Sequence, residues 1–322
     1  MEFRNLLEAA HESQRYLYAK DTAKNIKSHL RTYLIFCTYY KRVAVPANVD
    51  TLVCFAEFMS FTAGYHHIKH LFASVRLLHD IYNVEFIQSD FRVDAALQSL
   101  KRKLKKTPLQ VLPIDPKILT SMALFLDFNK PEDQAFWASV LVGFFCMFRK
   151  KSLVPKSRLA FDPHTELSRR KVAVYHQENI AFIYANFSKT NQFCERDIVL
   201  PLIGNPQSLL NPVVALNQLF SKNPADLDDP AFTYIQNGRK CCITYQMFTS
   251  KLKKLLFLAG FNPKLYSGHS LRRGGACWLY SQGGDHLMIR YAGDWSSDTF
   301  MRYVWLDVNQ RLAAQKLMTF RC

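Results

Sequence analysis

Residues 101–116 read KRKLKKTPLQVLPIDP, and no single helix or strand is expected to run through them. Lys101, Arg102, Lys103, Lys105 and Lys106 crowd like charges together, while Pro108, Pro113 and Pro116 each remove a backbone donor. The segment is expected to be extended and solvated. It divides the chain into a unit over 1–106, a basic, proline-bearing linker over 107–117 and a second unit over 118–322. At 322 residues the chain is long enough to give each unit its own core. The linker reads either as a plain solubilising or nuclear-import stretch, or as a strap across a polyanion's backbone.

Before the linker the pattern is helical. Asp21 or Thr22 can cap a helix through Lys24, Ile26, Leu30, Tyr33, Leu34 and Cys37, where apolar positions recur at spacings of three and four. DTLVCFAEFMSF and HHIKHLFASVRLLHDIY repeat that spacing, so the first hundred residues read as an all-α bundle. After the linker the pattern is mixed. An apolar helix over Ala135–Phe148 leads into FRKKSLVP; KVAVYH, IAFIYANF and RDIVLPL read as three strands, and helical periodicity returns in TYQMFTSKLKKLLFLAG. The second unit is therefore expected to be α+β, mostly helical with a small antiparallel sheet.

Charge narrows the partner. There are 42 Lys and Arg against 26 Asp and Glu, a formal charge of +16, which favours a polyanion through counterion release. Eight cysteines occur without a C-x-x-C pair, so neither a zinc ribbon nor a disulfide framework is indicated. His66, His67 and His70, with His79 beyond them, have helical spacing but no carboxylate or thiol to complete a metal shell; with Tyr65 and Lys69 they are expected on a solvent-facing or DNA-facing surface. Asn186-Phe187-Ser188 fits a glycosylation acceptor, but MEFRNLLEAAHESQ lacks the plan of a secretion signal. The apolar run ending at Phe148 is shorter than the roughly 18 residues that span a bilayer. No GxGxxG, GxxxxGK[ST] or HExxH motif supports a nucleotide cofactor or a catalytic zinc.

The last sixty residues gather His269 and Arg272 in SGHSLRRGG, Trp295 in GDW and Tyr303 in FMRYVW. Attack on a phosphodiester builds charge on the non-bridging oxygens and on the departing 5′ oxygen. Guanidinium groups match the first, a positioned acid must protonate the second, and a phenol can serve as the nucleophile. His269 and Arg272 are three apart and share a face of a helix opening near Ser270. Trp295 and Tyr303 are eight apart, about two turns if Ser296 or Ser297 caps a helix between them. Each has a bland alternative: Tyr266, Tyr280 and Tyr291 compete with Tyr303, Arg273 with Arg272, and His269 and Trp295 can be core residues.

These residues resemble the tyrosine recombinases, or phage-type integrases. The family's order of a first-box Arg, a β-turn Lys, a His-x-x-Arg box, a His or Trp and a Tyr nucleophile is filled here by Arg149, Lys189, His269, Arg272, Trp295 and Tyr303. FRKKSLVP, GHSLRRGGACWLYSQGG and GDWSSDTFMRYVW look most like recombinases of eukaryotic mobile elements of the Crypton, Ngaro and DIRS type. One departure is that Lys150, Lys151 and Ser152 stand where many members carry an acid after the first Arg. The resemblance implies an N-terminal all-α core-binding domain and a C-terminal catalytic domain acting on double-stranded DNA, with no cofactor and no metal. It implies a 3′-phosphotyrosyl intermediate on Tyr303, with Arg149 and Arg272 holding the phosphate, His269 assisting proton transfer, Lys189 protonating the leaving oxygen and Trp295 bracing the phosphate. Lys69, Lys101, Arg102, Lys103, Lys105, Lys106 and Arg273 are the expected DNA contacts. Family members act as a homo-tetramer on two sites, passing through a Holliday junction, with monomers or dimers possible off DNA. The tail VNQRLAAQKLMTF, with Val308, Leu312 and Leu317 at helical spacing, is a candidate to dock on a neighbouring protomer. A eukaryotic element implies the nucleus, any other the cytoplasm. Strand exchange separates this reading from a type IB topoisomerase, activity without divalent metal separates it from a carboxylate-triad transposase, and the six intact residues argue against a non-catalytic domesticated DNA-binding protein.

Overall fold

A computed structural model describes residues 3–13, 16–87, 90–105, 111–185, 191, 196–295, 297–302, 312, 315 and 316. The chain divides into two compact units, 1–108 and 109–322.

Among the described residues the first unit holds five helices: α1 (Phe3–Ser13), α2 (Lys20–Tyr39), α3 (Val49–Ser60), α4 (Tyr65–Ile81) and α5 (Phe91–Lys103). The apolar spacing expected for α2, α3 and α4 closes on one core in which Tyr33, Leu52, Phe55, Ile68, Leu71 and Val75 are fully buried. Tyr33 is tolerated there because its hydroxyl donates to the Ala44 carbonyl at 2.9 Å. The start of α2 differs from expectation. Ala19 is the capping position, without a side-chain bond, and Asp21 lies in the first turn, where its charge complements the helix dipole. Asn48 and Asp90 cap α3 and α5 through their side chains.

The basic segment also differs. Lys101, Arg102 and Lys103 form the last turn of α5, where cations offset the carbonyl end of the dipole, and Lys103 reaches Glu57 of α3 at 2.6 Å. Lys105 follows the helix and is exposed, whereas Lys106 lies outside the described residues. Lys69, His66, His67 and His70 are exposed on α4. His79 is not. It is fully buried, its Nε2 accepts from the Ala47 amide at 2.9 Å and its Nδ1 donates to the Val75 carbonyl at 2.8 Å, so it is a satisfied core histidine. Among the described residues no histidine, cysteine and carboxylate group gathers as a metal shell.

His29 contributes a pH dependence. Its Nδ1 lies 3.0 Å from Ser74 Oγ, whose hydrogen goes to the His70 carbonyl, so the ring donates. Burial, then the neighbouring His67 and His70, hold its pKa below the usual histidine value. An unfolded chain then takes up a proton on His29 near pH 6.5 that the folded chain resists, so stability is full above that pH and falls as pH drops toward the folded value. In thermal melts between pH 7.5 and 5.5, His29→Gln is expected to lose less Tm than the parent chain; equal losses would refute this assignment.

The second unit begins earlier than expected. Over 111–114 the chain is bonded in place: the Leu112 amide donates to the Leu265 carbonyl at 2.8 Å, the Ile114 amide to the Ser270 carbonyl at 3.0 Å, and the Ile114 side chain is fully buried. Capped by Asp115, α6 (Pro116–Ala123) follows at once. A solvated linker over 107–117 is thus corrected: from Val111 the burial of Ile114 and its paired amides make the segment part of the second core.

At the centre of that core is α7 (Pro131–Phe145), buried from Gln134 to Phe144 on every side. Around it lie α9 (Pro212–Lys222), α10 (Tyr245–Leu258) and α11 (His269–Ser281), with short α8 (Lys150–Leu153) and α12 (His286–Ala292). The three expected strands form β1 (Val172–Tyr175), β2 (Ile180–Tyr184) and β3 (Val199–Ile203), antiparallel in the order β1-β2-β3. Their register pairs Val172 with Ile183, Ile183 with Leu200 and Ala181 with Leu202, setting buried side chains on one face. A second hairpin, β4 (Thr233–Gln236) and β5 (Arg239–Cys242), is an addition to the expected strands, turning at Asn237-Gly238 with positive φ at both. Arg169 rivets the sheet edge. Its guanidinium donates to the Ala231, Asn223 and Thr233 carbonyls and lies over the Phe220 ring, and burial pushes its pKa down to about 10. Among the described residues no helix is long and apolar enough to cross a membrane.

Candidate active site

The site is built where α7 ends and α11 begins. After Phe145 the chain turns through Met147 in the left-handed region (φ 50°), with the Phe148 amide bonding back to the Gly143 carbonyl at 3.1 Å. This turn delivers Arg149, half-buried in extended backbone, to the head of α8, and turns the Met147 carbonyl out of the helical bonding pattern. Arg272 Nη1 donates to that carbonyl. Arg149 and Arg272 are thereby brought to the two sides of one turn, although 123 positions separate them in sequence.

Hydroxyls at Ser267 and Ser270 shape the entry to α11. The Ser267 amide donates to Ser270 Oγ at 2.9 Å, and the His269 amide donates to Ser267 Oγ at 3.1 Å. His269 is exposed in the first turn, and Arg272, one turn on along the same face, is only 4% exposed. An exposed imidazole, a held guanidinium and a helix N-terminus suit an anion. Gly268 admits the Lys150 stem against this turn, since a Cβ there would stand 2.6 Å from Lys150 Cδ. Lys150 itself is spent on packing: Nζ donates to Thr249 Oγ1 at 2.8 Å and stands 3.6 Å from the Tyr245 ring centroid.

The glycine pair after the arginines has a steric cause. A Cβ on Gly274 would lie 1.8 Å from the Ile114 carbonyl oxygen, and one on Gly275 would lie 2.3 Å from that of Phe144. Only glycine lets α11 sit against both backbones. Arg273, expected on DNA, is corrected: it is 3% exposed and its Nη1 donates to the Val111 carbonyl at 2.7 Å. It fastens the entering chain, because adjacent positions on a helix face different directions and Arg273 is turned toward the 111–114 segment.

Trp295 is buried with Met147, Ala276, Ile289 and Phe300. Its ring centroid lies 3.8 Å from the Arg272 guanidinium carbon, a cation–π stack that leaves the guanidinium edge to bond Met147. Gly293 makes room, since a Cβ there would meet the indole at 1.7 Å. The described contacts therefore give Trp295 the role of a platform for Arg272. Trp295→Ala is expected to lose about 3–5 kcal/mol by urea denaturation. Trp295→Phe, which keeps a ring face, should lose well under half of that; equal losses would remove the stack as the cause.

Two residues missed by sequence reasoning join this site. Arg196, at the end of the β2–β3 connection, pairs with Asp294 at 2.5 Å, tying that connection to the turn that carries Trp295. No local signal announces a bond across 98 positions. Lys189 falls within the β2–β3 connection by sequence, but it and Tyr303 lie outside the described residues, as do Ser296, Val308 and Leu317. A short 3₁₀ turn, Asp298–Arg302, stands where the helix between Trp295 and Tyr303 is expected. Leu312 of the tail is exposed.

No family model and no curated protein matches the chain by sequence. Solved structures do. The Tn1549 transposon integrase in complex with circular intermediate DNA is 13% identical, with 96% of this chain and 98% of that one covered and a TM-score of 0.57. A lambda integrase dimer bound to a COC′ core site is 10% identical, with 95% and 96% covered and a TM-score of 0.57. The XerH site-specific recombinase bound to a palindromic difH substrate is 12% identical, with 85% and 73% covered and a TM-score of 0.56. The chain has the fold of the tyrosine recombinases: a mostly helical catalytic unit around a small antiparallel sheet.

Proposed function

We propose that the chain is a site-specific DNA recombinase that cuts and rejoins strands through Tyr303. The observation that carries this reading is Arg272: buried, held by the Met147 carbonyl, stacked on Trp295, and one turn from an exposed His269. A guanidinium fixed in this way meets phosphate oxygens without reorganising, which is the form of stabilisation phosphoryl transfer needs. The charge of +16 suits a DNA partner, and the similar structures were solved bound to DNA.

In this mechanism the Tyr303 oxygen attacks the scissile phosphorus, the bond to the 5′ oxygen breaks, and its electron pair leaves on that oxygen. Lys189 supplies the leaving oxygen's proton, and His269 takes the phenol's proton. Arg149 and Arg272 hold the non-bridging oxygens. The 3′-phosphotyrosyl link keeps the bond energy for attack by a partner strand's 5′ hydroxyl. The finer assignment, a eukaryotic mobile element with a tetrameric assembly acting in the nucleus, rests on the HSLRRGG and GDWSSDTFMRY motifs. A nicked suicide duplex incubated with the purified chain in EDTA tests the central claim. A covalent protein–DNA adduct is expected; its absence on cognate DNA rejects the mechanism.

A further inference from the structure

Arg149 and His269 have immediate neighbours that touch each other. Lys150, the residue after Arg149, lays its stem on Gly268, the residue before His269. A Cβ on Gly268 would stand 2.6 Å from Lys150 Cδ, 2.9 Å from its Cβ and 3.0 Å from its Cε, so three points of one side chain lie along the glycine. The far end of that side chain is fixed as well. Its Nζ donates to Thr249 Oγ1 at 2.8 Å and stands 3.6 Å from the Tyr245 ring centroid. The Thr249 hydroxyl is itself oriented, since it donates to the Tyr245 carbonyl at 2.8 Å. The Tyr245 amide donates to the Pro155 carbonyl at 2.8 Å, so the chain leaving α8 returns to the same end of α10. Lys150 therefore starts on the turn that presents Arg149, crosses the entry to α11 and ends on α10.

We infer that Lys150 is a positioning residue that sets Arg149 against the His269 and Arg272 turn of α11. Its ammonium is turned away to Thr249 and Tyr245, so it acts through its neighbours and not on the phosphate. What it fixes is the separation of two backbones, each one residue from a group that meets the phosphate in the proposed mechanism. A stem pinned at one end by α8 and at the other by α10 has few rotamers left, and so serves as a spacer of set length. The glycine opposite lets the two main chains approach more closely than a side chain there would allow. The Met147 carbonyl holds Arg272 from one side of the site, and Lys150 holds the entry to its helix from the other. The inference rests on the recombinase reading and adds a residue outside the six assigned to catalysis.

The test pairs substitutions at Lys150 with a substitution in the phosphate. Suicide duplexes carry either an ordinary scissile phosphate or one with sulfur in place of a single non-bridging oxygen, each stereoisomer separately. Sulfur is larger than oxygen and accepts hydrogen bonds poorly, so the parent chain should form adduct more slowly on the isomer whose sulfur faces Arg149. On the ordinary duplex Lys150→Ala is expected to slow adduct formation roughly 10–100-fold, the range of a guanidinium placed about 1 Å from its working position. Lys150→Arg, which keeps a long stem and a cation for the Tyr245 ring, should recover most of that loss. Because Lys150→Ala has already loosened the arginine contact, its oxygen-to-sulfur rate ratio on that isomer should fall at least about threefold below the parent's. Thr249→Val removes the anchor at the α10 end; it should move both quantities the same way by less, and it carries the test if Lys150→Ala does not fold. Parent-like rates for these variants on the ordinary duplex would overturn the inference. So would oxygen-to-sulfur ratios equal to the parent's in both isomers, which is the signature of general damage to the site. A parent chain that forms no adduct on the ordinary duplex would reject the recombinase reading itself, a result distinct from either.

Discussion

A chain carrying Tyr303→Phe is expected to form no covalent adduct on a suicide duplex while still binding it. Under the proposed mechanism the phenol oxygen is the atom that bonds to phosphorus, and phenylalanine keeps the ring while deleting that atom. Loss of a nucleophile removes the covalent route altogether, an effect on the order of 10³-fold or more. Under the same proposal binding is carried instead by cations spread over the surface, among them Lys69, Lys101 and Arg102, which are exposed. A gel shift with unchanged affinity beside an empty adduct lane is the predicted pair of results. An adduct that persists at full yield would move the nucleophile to another tyrosine, with Tyr291, 76% exposed and close to the Trp295 turn in sequence, the first alternative.

The largest structural effect is expected at Gly274. A methyl group there would lie 1.8 Å from the Ile114 carbonyl oxygen, which is backbone and whose own residue is fully buried and bonded through its amide to Ser270. Neither side can yield without breaking the seam between α11 and the entering chain. Gly274→Ala should cost about 3 kcal/mol, at the upper end for overpacking, or roughly 6–12 °C in Tm for a unit of this size. Adduct formation should fall with it, since Arg272 is two residues away on the same helix. Gly64→Ala is the control: nothing lies within 4 Å of the added Cβ, so its Tm should scarcely move. A similar Tm loss in the two variants would show that the Ile114 contact does not control stability.

The patterns legible in the sequence are local ones. Spacings of three and four place α2, α3, α4 and α10, and alternation places β1 to β3, because these periods follow from backbone geometry alone. The site residues are expected from chemistry, which asks for those side chains whatever surrounds them, and four of the six, Arg149, His269, Arg272 and Trp295, fall among the described residues. What escapes depends on distant neighbours. Arg272 and Arg273 are adjacent and identical in type, yet one is anchored at Met147 and the other at Val111, and only packing distinguishes them. The Arg196–Asp294 pair is a tertiary bond with no local trace. At the end of α5, repulsion among Lys101, Arg102 and Lys103 is opposed by the helix dipole and by the bond from Lys103 to Glu57, and sequence alone does not rank the three effects. The β4–β5 hairpin escapes for a different reason: Asn237-Gly238 is a strong turn signal, but RKCC beside it lacks the alternation that marks a strand.

The seam of Val111 to Ile114 also makes α11 a mechanical terminus. That stretch is the first described part of the second unit after the basic segment, and it is stitched to the Arg273 side chain, to the Ser270 carbonyl and, beside them, to Leu265. A tug transmitted along the chain from residues 1–108 meets these bonds before it can reach the sheet or α7. The helix that holds His269 and Arg272 is consequently the anchor for the start of its unit, and one of the anchoring bonds is made by Arg273, the immediate neighbour of Arg272.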